Sequence, residues 1–426
     1  MNVIVIGGGW AGCSAALTAK RQGARVILLE RTDMLLGTGL VGGIFRNNGR
    51  FTAAEEMIAM GGGELFCLMD KHALHEGIEF PGHSHASLYN VAVMEPVVRR
   101  YLIEAGVELR LSTRIADVEM DGTTLKAVLG KQEGREQVRF EADAFVEATG
   151  TAGPPAQCNK HGNGCAMCIL RCHSFGGRVS VAAKAGVVET ASQRGDRLGA
   201  MSGSCKLLKE SLSFHIVGEL NNKGVVVIPL PPDKQLKGKL SLKACQQYAI
   251  EDFEQNIVLL DTGHAKLMTP FFPLELLRRV PGFENARYED PYAGGIGNSI
   301  RFIGISPRDD SLKVEGVENL FCAGEKAGLL VGHTEAICTG ALAGFNAVRW
   351  IRREKPLILP ESLATGDAVR FTRERMAEKG GLALKYTFSG SILFERMKGK
   401  GLYTTNQGEI VDRVGAAGLI GILGAR

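Results

Sequence analysis

The run VIVIGGGWAGCSAALTAKRQGARVILLER, residues 3–31, decides the fold. Val3 to Ile6 is a short unbroken apolar stretch, the pattern of a strand buried on both faces of a sheet. Three glycines break it, an alanine-rich segment of helical composition follows, and Val26 to Leu29 is apolar again. Strand, glycine turn, helix and strand within about thirty residues make a βαβ unit. Gly7, Gly9 and Gly12 fall in G-x-G-x-x-G spacing at the strand-to-helix junction. There the first glycine permits a tight turn, the second lets a pyrophosphate approach the backbone, and the third lets the helix pack closely. Glu30 stands 18 residues after Gly12, at the end of the second strand, with Arg31 beside it. A carboxylate in that place can accept hydrogen bonds from ribose hydroxyls. The motif implies a dinucleotide but does not choose between FAD and NAD, because both set a pyrophosphate at the same helix terminus.

Outward from this unit, 426 residues exceed what one small core needs and suit two domains or one domain with a large insertion. Hydrophobic residues at 45% and charged residues at 23% are ordinary for a globular chain, whereas 55 glycines are many, as close backbone approaches to a nucleotide require. A formal net charge of +4 does not by itself argue for nucleic acid. The opening apolar run lacks a basic leader and a cleavage site, and no stretch offers eighteen uninterrupted apolar residues. A cytoplasmic protein without membrane contact is expected, and its ten cysteines read as reduced thiols or metal ligands.

Tyr89 to Ala105 has helical character. From Val107 to Gly150, strand-like runs broken at Asp121-Gly122 and near Gly134 predict a β-meander that returns to a buried strand, AFVEATG. The pattern then changes, and strand-turn-helix grammar resumes only at Asn319 to Trp350. The expected architecture is α/β: a Rossmann-type FAD-binding domain of the glutathione-reductase kind, with a β-meander and an inserted substrate domain. Its divisions are residues 1–153 for the first part of the FAD-binding domain and 154–280 for the insert. Residues 281–350 supply the second part of the FAD-binding domain, and 351–426 a C-terminal helical tail. Between Arg349 and Lys400 the tail carries 12 Lys/Arg against 6 Asp/Glu. A run of amphipathic helices with solvated lysines accounts for that more simply than an RNA-binding surface does.

Three further segments carry a resemblance: VEATGTAG (Val146 to Gly153), LRRVPGFENARYE (Leu277 to Glu289) and LFCAGEKAGLLVGHTEAICTGALAGFNAV (Leu320 to Val348). With the first βαβ unit they resemble the two-dinucleotide-binding flavoprotein superfamily, and within it the GidA family that includes the tRNA-modifying flavoenzymes MnmG and TrmFO. The resemblance implies FAD. It further implies that Gly150, Ala323, Gly324 and Glu325 lie near the flavin, and that a helix beginning at Gly332 and His333 and carrying Glu335 and Ala336 points its N-terminus at the isoalloxazine. Amides there would stabilise negative charge on the reduced ring. GLVGGIFRNNG (Gly39 to Gly49) is similar to a segment near the flavin in broader FAD-dependent oxidoreductases, which adds Gly39 to the cofactor residues. The likeness covers about residues 1–150 and 277–350 and fades in the insert and tail.

Cys158, Cys165, Cys168 and Cys172 fall within fifteen residues, in CNKHGNGCAMCILRC. Four thiolates at such spacing are a ligand set for a [4Fe-4S] cluster; a redox dithiol at Cys165 and Cys168, a structural zinc and unligated thiols are the other readings. His83 and His85 in PGHSHASLYN join Cys165 and Cys168 as catalytic candidates, against a plain polar loop. Arg301, Arg308, Asp309 and Asp310 read either as a pocket near the flavin, by the resemblance, or as a solvated charge cluster.

The sequence thus predicts an FAD-dependent oxidoreductase that passes electrons between a reduced donor, NAD(P)H or ferredoxin-type, and an acceptor through a cysteine-ligated iron–sulfur cluster. A flavin-dependent tRNA-modifying enzyme of the MnmG/TrmFO type is the first alternative, and a non-catalytic flavin redox sensor the second. Expected partners are small-molecule or protein electron donors and acceptors, with RNA ranked behind them and a homo-oligomer compatible with the chain.

Overall fold

Five parallel strands form the central sheet, in the order Leu320–Cys322, Ala144–Glu147, Asn2–Ile6, Arg25–Leu29, Glu108–Arg110. The computed structural model describes all residues except 133, 151–178, 195–196, 199, 203–204, 236–245, 269–271, 290–298, 302–303 and 426. The first strand sits in the middle, with Val3 opposite Ala144 on one side and Val26 on the other. This is why Val3, Ile4 and Val5 are all buried although they face both ways: each face of a parallel sheet is covered. The architecture is a Rossmann-type α/β fold.

One covering layer is made by two helices, Trp10–Arg21 and His333–Ile351, which cross at very short range. A Cβ on Gly340 would stand 2.2 Å from the Ala11 carbonyl oxygen, and one on Gly344 2.2 Å from that of Ala15. Only glycine allows that approach. Strands Thr113–Asp121, Thr124–Gln132 and Arg135–Glu141 form the three-stranded meander, whose Ile115, Leu125 and Val128 share the core of the central sheet.

A second sheet lies apart in sequence, in the order Cys205–Leu207, Ala265–Leu267, Asn256–Asp261, Val225–Pro229, backed by helix Phe214–Lys223. Its apolar core runs from Leu207 to Tyr288. A three-stranded sheet of Ile44–Phe45, His83–Tyr89 and Ala73–Phe80 packs against it through Ile44, Phe80 and Leu88 on Phe253, Val258 and Leu260. Ile44, Phe80, Ala86 and Leu88 therefore share a core with the insert, while Phe45, Met57, Phe66 and Tyr89 from the same stretch belong to the core of the central sheet. Among the described residues no helix is long and apolar enough to cross a membrane.

The tail is not an appendage. Helix Ala364–Ala377 is capped by Glu56, whose carboxylate accepts from the amides of Ala364 (2.7 Å) and Thr365 (2.9 Å). Tyr386, Phe388, Leu393 and Met397 are buried in the main core. Many of the tail's cations are spent on carboxylates of the same chain, as in Arg373–Asp310 (2.7 Å) and Arg370–Glu361 (2.9 Å).

Asp367 anchors the last turns, taking both arms of the Arg396 guanidinium at 2.8 Å and the Lys400 ammonium at 2.6 Å. Burial works to raise its pKa, but Arg396 and Lys400 outweigh burial and hold it below the usual carboxylate value. With the folded value depressed, this stabilisation is present above the unfolded value of about 3.9 and is lost as pH falls through the folded one. Asp367→Asn is expected to cost about 1.5–3 kcal/mol at neutral pH and to flatten the acid limb of stability against pH. Urea unfolding at several pH values would show it; an unchanged acid limb counts against the assignment.

Candidate functional site

A cavity of about 260 Å³ opens at the C-terminal edge of the central sheet, where ligands of doubly wound folds sit. Gly7 forms its tight turn with φ of +103°, and a Cβ there would lie 2.4 Å from the Ala148 carbonyl oxygen. Gly12 fits the helix onto that turn, since a Cβ would lie 1.8 Å from the Gly7 oxygen. Gly9 differs from both. A Cβ at Gly9 would meet nothing within 4 Å, because it points into the cavity in front of helix Trp10–Arg21. This is the empty cradle that a pyrophosphate needs, beside unsatisfied helix amides.

Glu30 lines the cavity as well, but its carboxylate also builds the turn: it accepts from the Gly8 amide (2.7 Å) and from the Thr32 amide (2.9 Å) and hydroxyl (3.1 Å). Arg31, Gly150, Ala323, Gly324, Glu325, Gly332 and His333 line it too. Gly39 does not. It packs behind the wall, where a Cβ would strike the Trp10 indole nitrogen, and its carbonyl accepts from the Tyr89 hydroxyl at 3.0 Å. Gly37, Thr38, Val41 and Gly42 take the lining role in that segment.

At the far end, helix His333–Ile351 opens on Gly332, with φ of +151° and no room for a Cβ between Glu335 and Arg50. Arg50 and Glu335 form a buried ion pair, Nε to Oε1 at 3.1 Å and to Oε2 at 3.2 Å. Glu335 also accepts from the Thr387 hydroxyl (2.6 Å) and the Phe388 amide (2.9 Å), while Arg50 donates to Asn47 (3.1 Å) and Thr387 (3.2 Å). Burial works against the Arg50 cation, but Glu335 and Tyr248 outweigh it and hold its pKa above the ordinary value. Arg50, Lys266, Lys385, Gln247 and Tyr248 complete the lining. None of these was singled out by the sequence reading. The available signal was RNNGR at 46–50, a polar run between apolar neighbours, in which Arg46, Asn47, Asn48 and Arg50 prove buried.

His83 and His85 lie on strand His83–Tyr89 rather than in a loop. His83 is stacked on Phe80 at 4.6 Å and is nearly sequestered from solvent. Its Nε2 lies 3.1 Å from the Gln247 carbonyl and its Nδ1 2.9 Å from the Asn47 amide nitrogen. A carbonyl can only accept, so Nε2 carries the proton and Nδ1 accepts from Asn47. Burial, with the Arg50 cation adding to it, pushes the imidazole down to about 3. His83 is therefore a neutral strut behind Gln247 and not an acid–base group at neutral pH, which corrects its candidacy. His85 is exposed and outside the cavity lining.

Arg308 does not line the cavity either: it is buried and donates to the carbonyls of Ala327 (3.0 Å) and Val369 (2.9 Å), binding the tail to the sheet. Asp310 pairs with Arg373 and Asp309 caps its own turn, while nothing is described of the Arg301 side chain. Cys158, Cys165, Cys168 and Cys172 lie outside the described residues. Among the described residues no group of three His, Cys, Asp or Glu side chains is placed to hold a metal. Cys13, Cys322 and Cys338 are buried thiols, and burial pushes Cys322 up to about 12; Cys67 is exposed.

Comparison with known families matches residues 2–153 to the FAD dependent oxidoreductase model and residues 250–355 to the model of glucose inhibited division protein A. The tRNA uridine 5-carboxymethylaminomethyl modification enzyme MnmG of Nitratiruptor sp. is 23% identical over 416 residues, 84% of this chain and 64% of the relative. That of Desulfotalea psychrophila is 37% identical over 91 residues, 21% of this chain and 13% of the relative. The solved structure of Aquifex aeolicus GidA aligns with 97% of this chain and 76% of its own, at a TM-score of 0.63 and 16% identity. These matches support a likeness to the GidA-type FAD-dependent proteins. The chain's class is that of the FAD-dependent oxidoreductases, which are enzymes. Even the near full-length alignment spans less than two thirds of the MnmG relative. In this chain the open cradle at Gly9 and the glycine-fitted turn suit an FAD pyrophosphate.

Proposed function

We propose that the chain is a flavin-dependent tRNA-modifying enzyme of the MnmG/TrmFO type, acting on a uridine base. The observation that carries this is an alignment with an MnmG over 84% of the chain, too long to be confined to the dinucleotide domain. It displaces the expected electron-transfer enzyme as the first reading and moves RNA forward as a partner. Bound FAD would supply reducing equivalents. Gly7, Gly9 and Gly12 would seat its pyrophosphate and Glu30 its ribose. Gly150, Ala323, Gly324 and Glu325 would border the ribityl chain, and Gly332 and His333 would bring the helix start to the ring. At that end Lys266 and Lys385 add positive charge, while Arg50 is already matched by Glu335. Positive charge at that end favours negative charge on a reduced ring or a polarised base.

The iron–sulfur reading keeps one specific observation of its own, the spacing of Cys158, Cys165, Cys168 and Cys172. A single preparation tests both. Anaerobically purified protein is assayed for FAD, iron and acid-labile sulfide, then incubated with undermodified tRNA, NAD(P)H and a one-carbon donor. A new uridine modification by mass spectrometry of nucleosides is the expected result. Stoichiometric iron and sulfide, with unmodified tRNA and rapid reduction of an artificial acceptor, would replace the proposal with the electron-transfer enzyme.

A further inference from the structure

The wall of the cavity at residues 37–42 closes a short turn on itself and leans on neighbouring elements, Tyr89 among them. Gly37 to Leu40 form a single 3₁₀ turn, flanked by Gly42 and by Gly43 at φ of +85°, so the segment is poor in side chains with which to pack. The last carbonyls of such a turn have no partner within it and carry the negative end of its dipole. In this chain those carbonyls meet two lysines from the insert. Lys206 donates to the Leu40 carbonyl at 3.0 Å; Lys266 donates to the Val41 carbonyl at 2.7 Å and to that of Gly42. The two lysines stand opposite each other in register on neighbouring antiparallel strands, Cys205–Leu207 and Ala265–Leu267, so their ammonium groups arrive side by side. On the inner side the wall rests on the cofactor end of the fold, since a Cβ on Gly42 would collide with the His333 ring.

We propose that Lys206 and Lys266 are positioning residues for the flavin: a two-lysine clasp by which the insert sheet sets the 37–42 wall against His333 and thereby fixes how tightly the cofactor is held. A buried ammonium group at Lys266 and a partly buried one at Lys206 are a costly way to fasten a loop unless they meet strong acceptors, and three successive carbonyls supply them, with the Glu289 carboxylate 3.8 Å from Lys206. The clasp also gives the insert a direct mechanical link to the flavin, because a shift of its strands is passed to the wall through these bonds. The inference needs only FAD in the cavity and not the tRNA reading.

Methionine nearly conserves the volume of lysine while removing the donor. Lys206→Met, Lys266→Met and the double variant are made in the full chain, together with Lys209→Met as a control. Lys209 is in the same region but bonds Asp261 at 2.7 Å and does not touch the wall. FAD affinity is read by fluorescence titration of flavin-stripped protein, and openness of the wall by iodide quenching of bound flavin. Lys206→Met and Lys266→Met are each expected to weaken FAD about tenfold and to raise the quenching constant; Lys209→Met should stay within twofold in both. Should Lys266→Met fail to fold, Lys206→Met, which loses the Leu40 carbonyl contact and a 3.8 Å ion pair with Glu289, carries the test. FAD affinity within threefold of the parent in the folded clasp variants, or a loss no larger than that of Lys209→Met, overturns the proposal.

Discussion

Gly9→Val is expected to give a folded protein that no longer retains FAD. The backbone at Gly9 has φ of −67° and ψ of 178°, which any residue adopts, and the space beyond its Cα is empty of protein atoms. Nothing in the fold resists a side chain there. The obstruction falls on the ligand, whose pyrophosphate must come within hydrogen-bond reach of the amides at the start of helix Trp10–Arg21. Gly7 and Gly12 behave otherwise, because their missing Cβ atoms are needed by the protein itself, and alanine at either is expected to lower stability before it lowers affinity. The measurement is the ratio of flavin to protein absorbance after gel filtration, with circular dichroism to confirm folding. Parental flavin content in folded Gly9→Val would mean that the pyrophosphate lies elsewhere.

Removing the carboxylate from the Arg50–Glu335 pair should produce the largest loss of stability. Glu335→Ala would leave a guanidinium buried next to the cavity with its counter-charge gone, and strip Thr387 and the Phe388 amide of their acceptor as well. Breaking a buried pair on one side costs about 3–5 kcal/mol. The double variant Arg50→Met/Glu335→Leu removes both charges and should recover a good part of that, since much of the penalty belongs to the orphaned ion. Urea unfolding of the three proteins decides the matter. A loss under about 1 kcal/mol in Glu335→Ala would show that Arg50 finds another partner or opens to solvent.

Local pattern made part of this legible. The βαβ unit, the meander turns and the helix after Gly332 each announce themselves within a window of a few dozen residues, where periodicity and glycine placement act directly on the backbone. What was missed depends on distance along the chain. Arg50 meets Glu335 across 285 positions and Glu56 caps a helix 308 positions away, and neither partner carries a local sign of the other. His83 was read from its polar neighbours as an acid–base candidate, yet strand alternation turns it inward onto Phe80. Gly39 was taken for a cofactor contact because its segment resembles one near the flavin in other FAD-dependent oxidoreductases, while the tight turn at Gly37–Leu40 gives that place to Gly37 and Gly42. The tail read as a solvated run because its charges are conspicuous, but Tyr386, Phe388, Leu393 and Met397 make it part of the core.

The close crossing of the two glycine-fitted helices bears on how the protein is made. Ala11 and Ala15 leave the ribosome long before Gly340 and Gly344, the residues they rest against. At about 5–20 residues per second, the interval is roughly 20 to 60 seconds. Throughout it the first helix has bare carbonyls and apolar surface where its partner will lie, and the sheet still lacks the strand Leu320–Cys322 beside Ala144–Glu147. The nascent chain must be kept from aggregating over that span, and its flavin can be captured only near the end of synthesis.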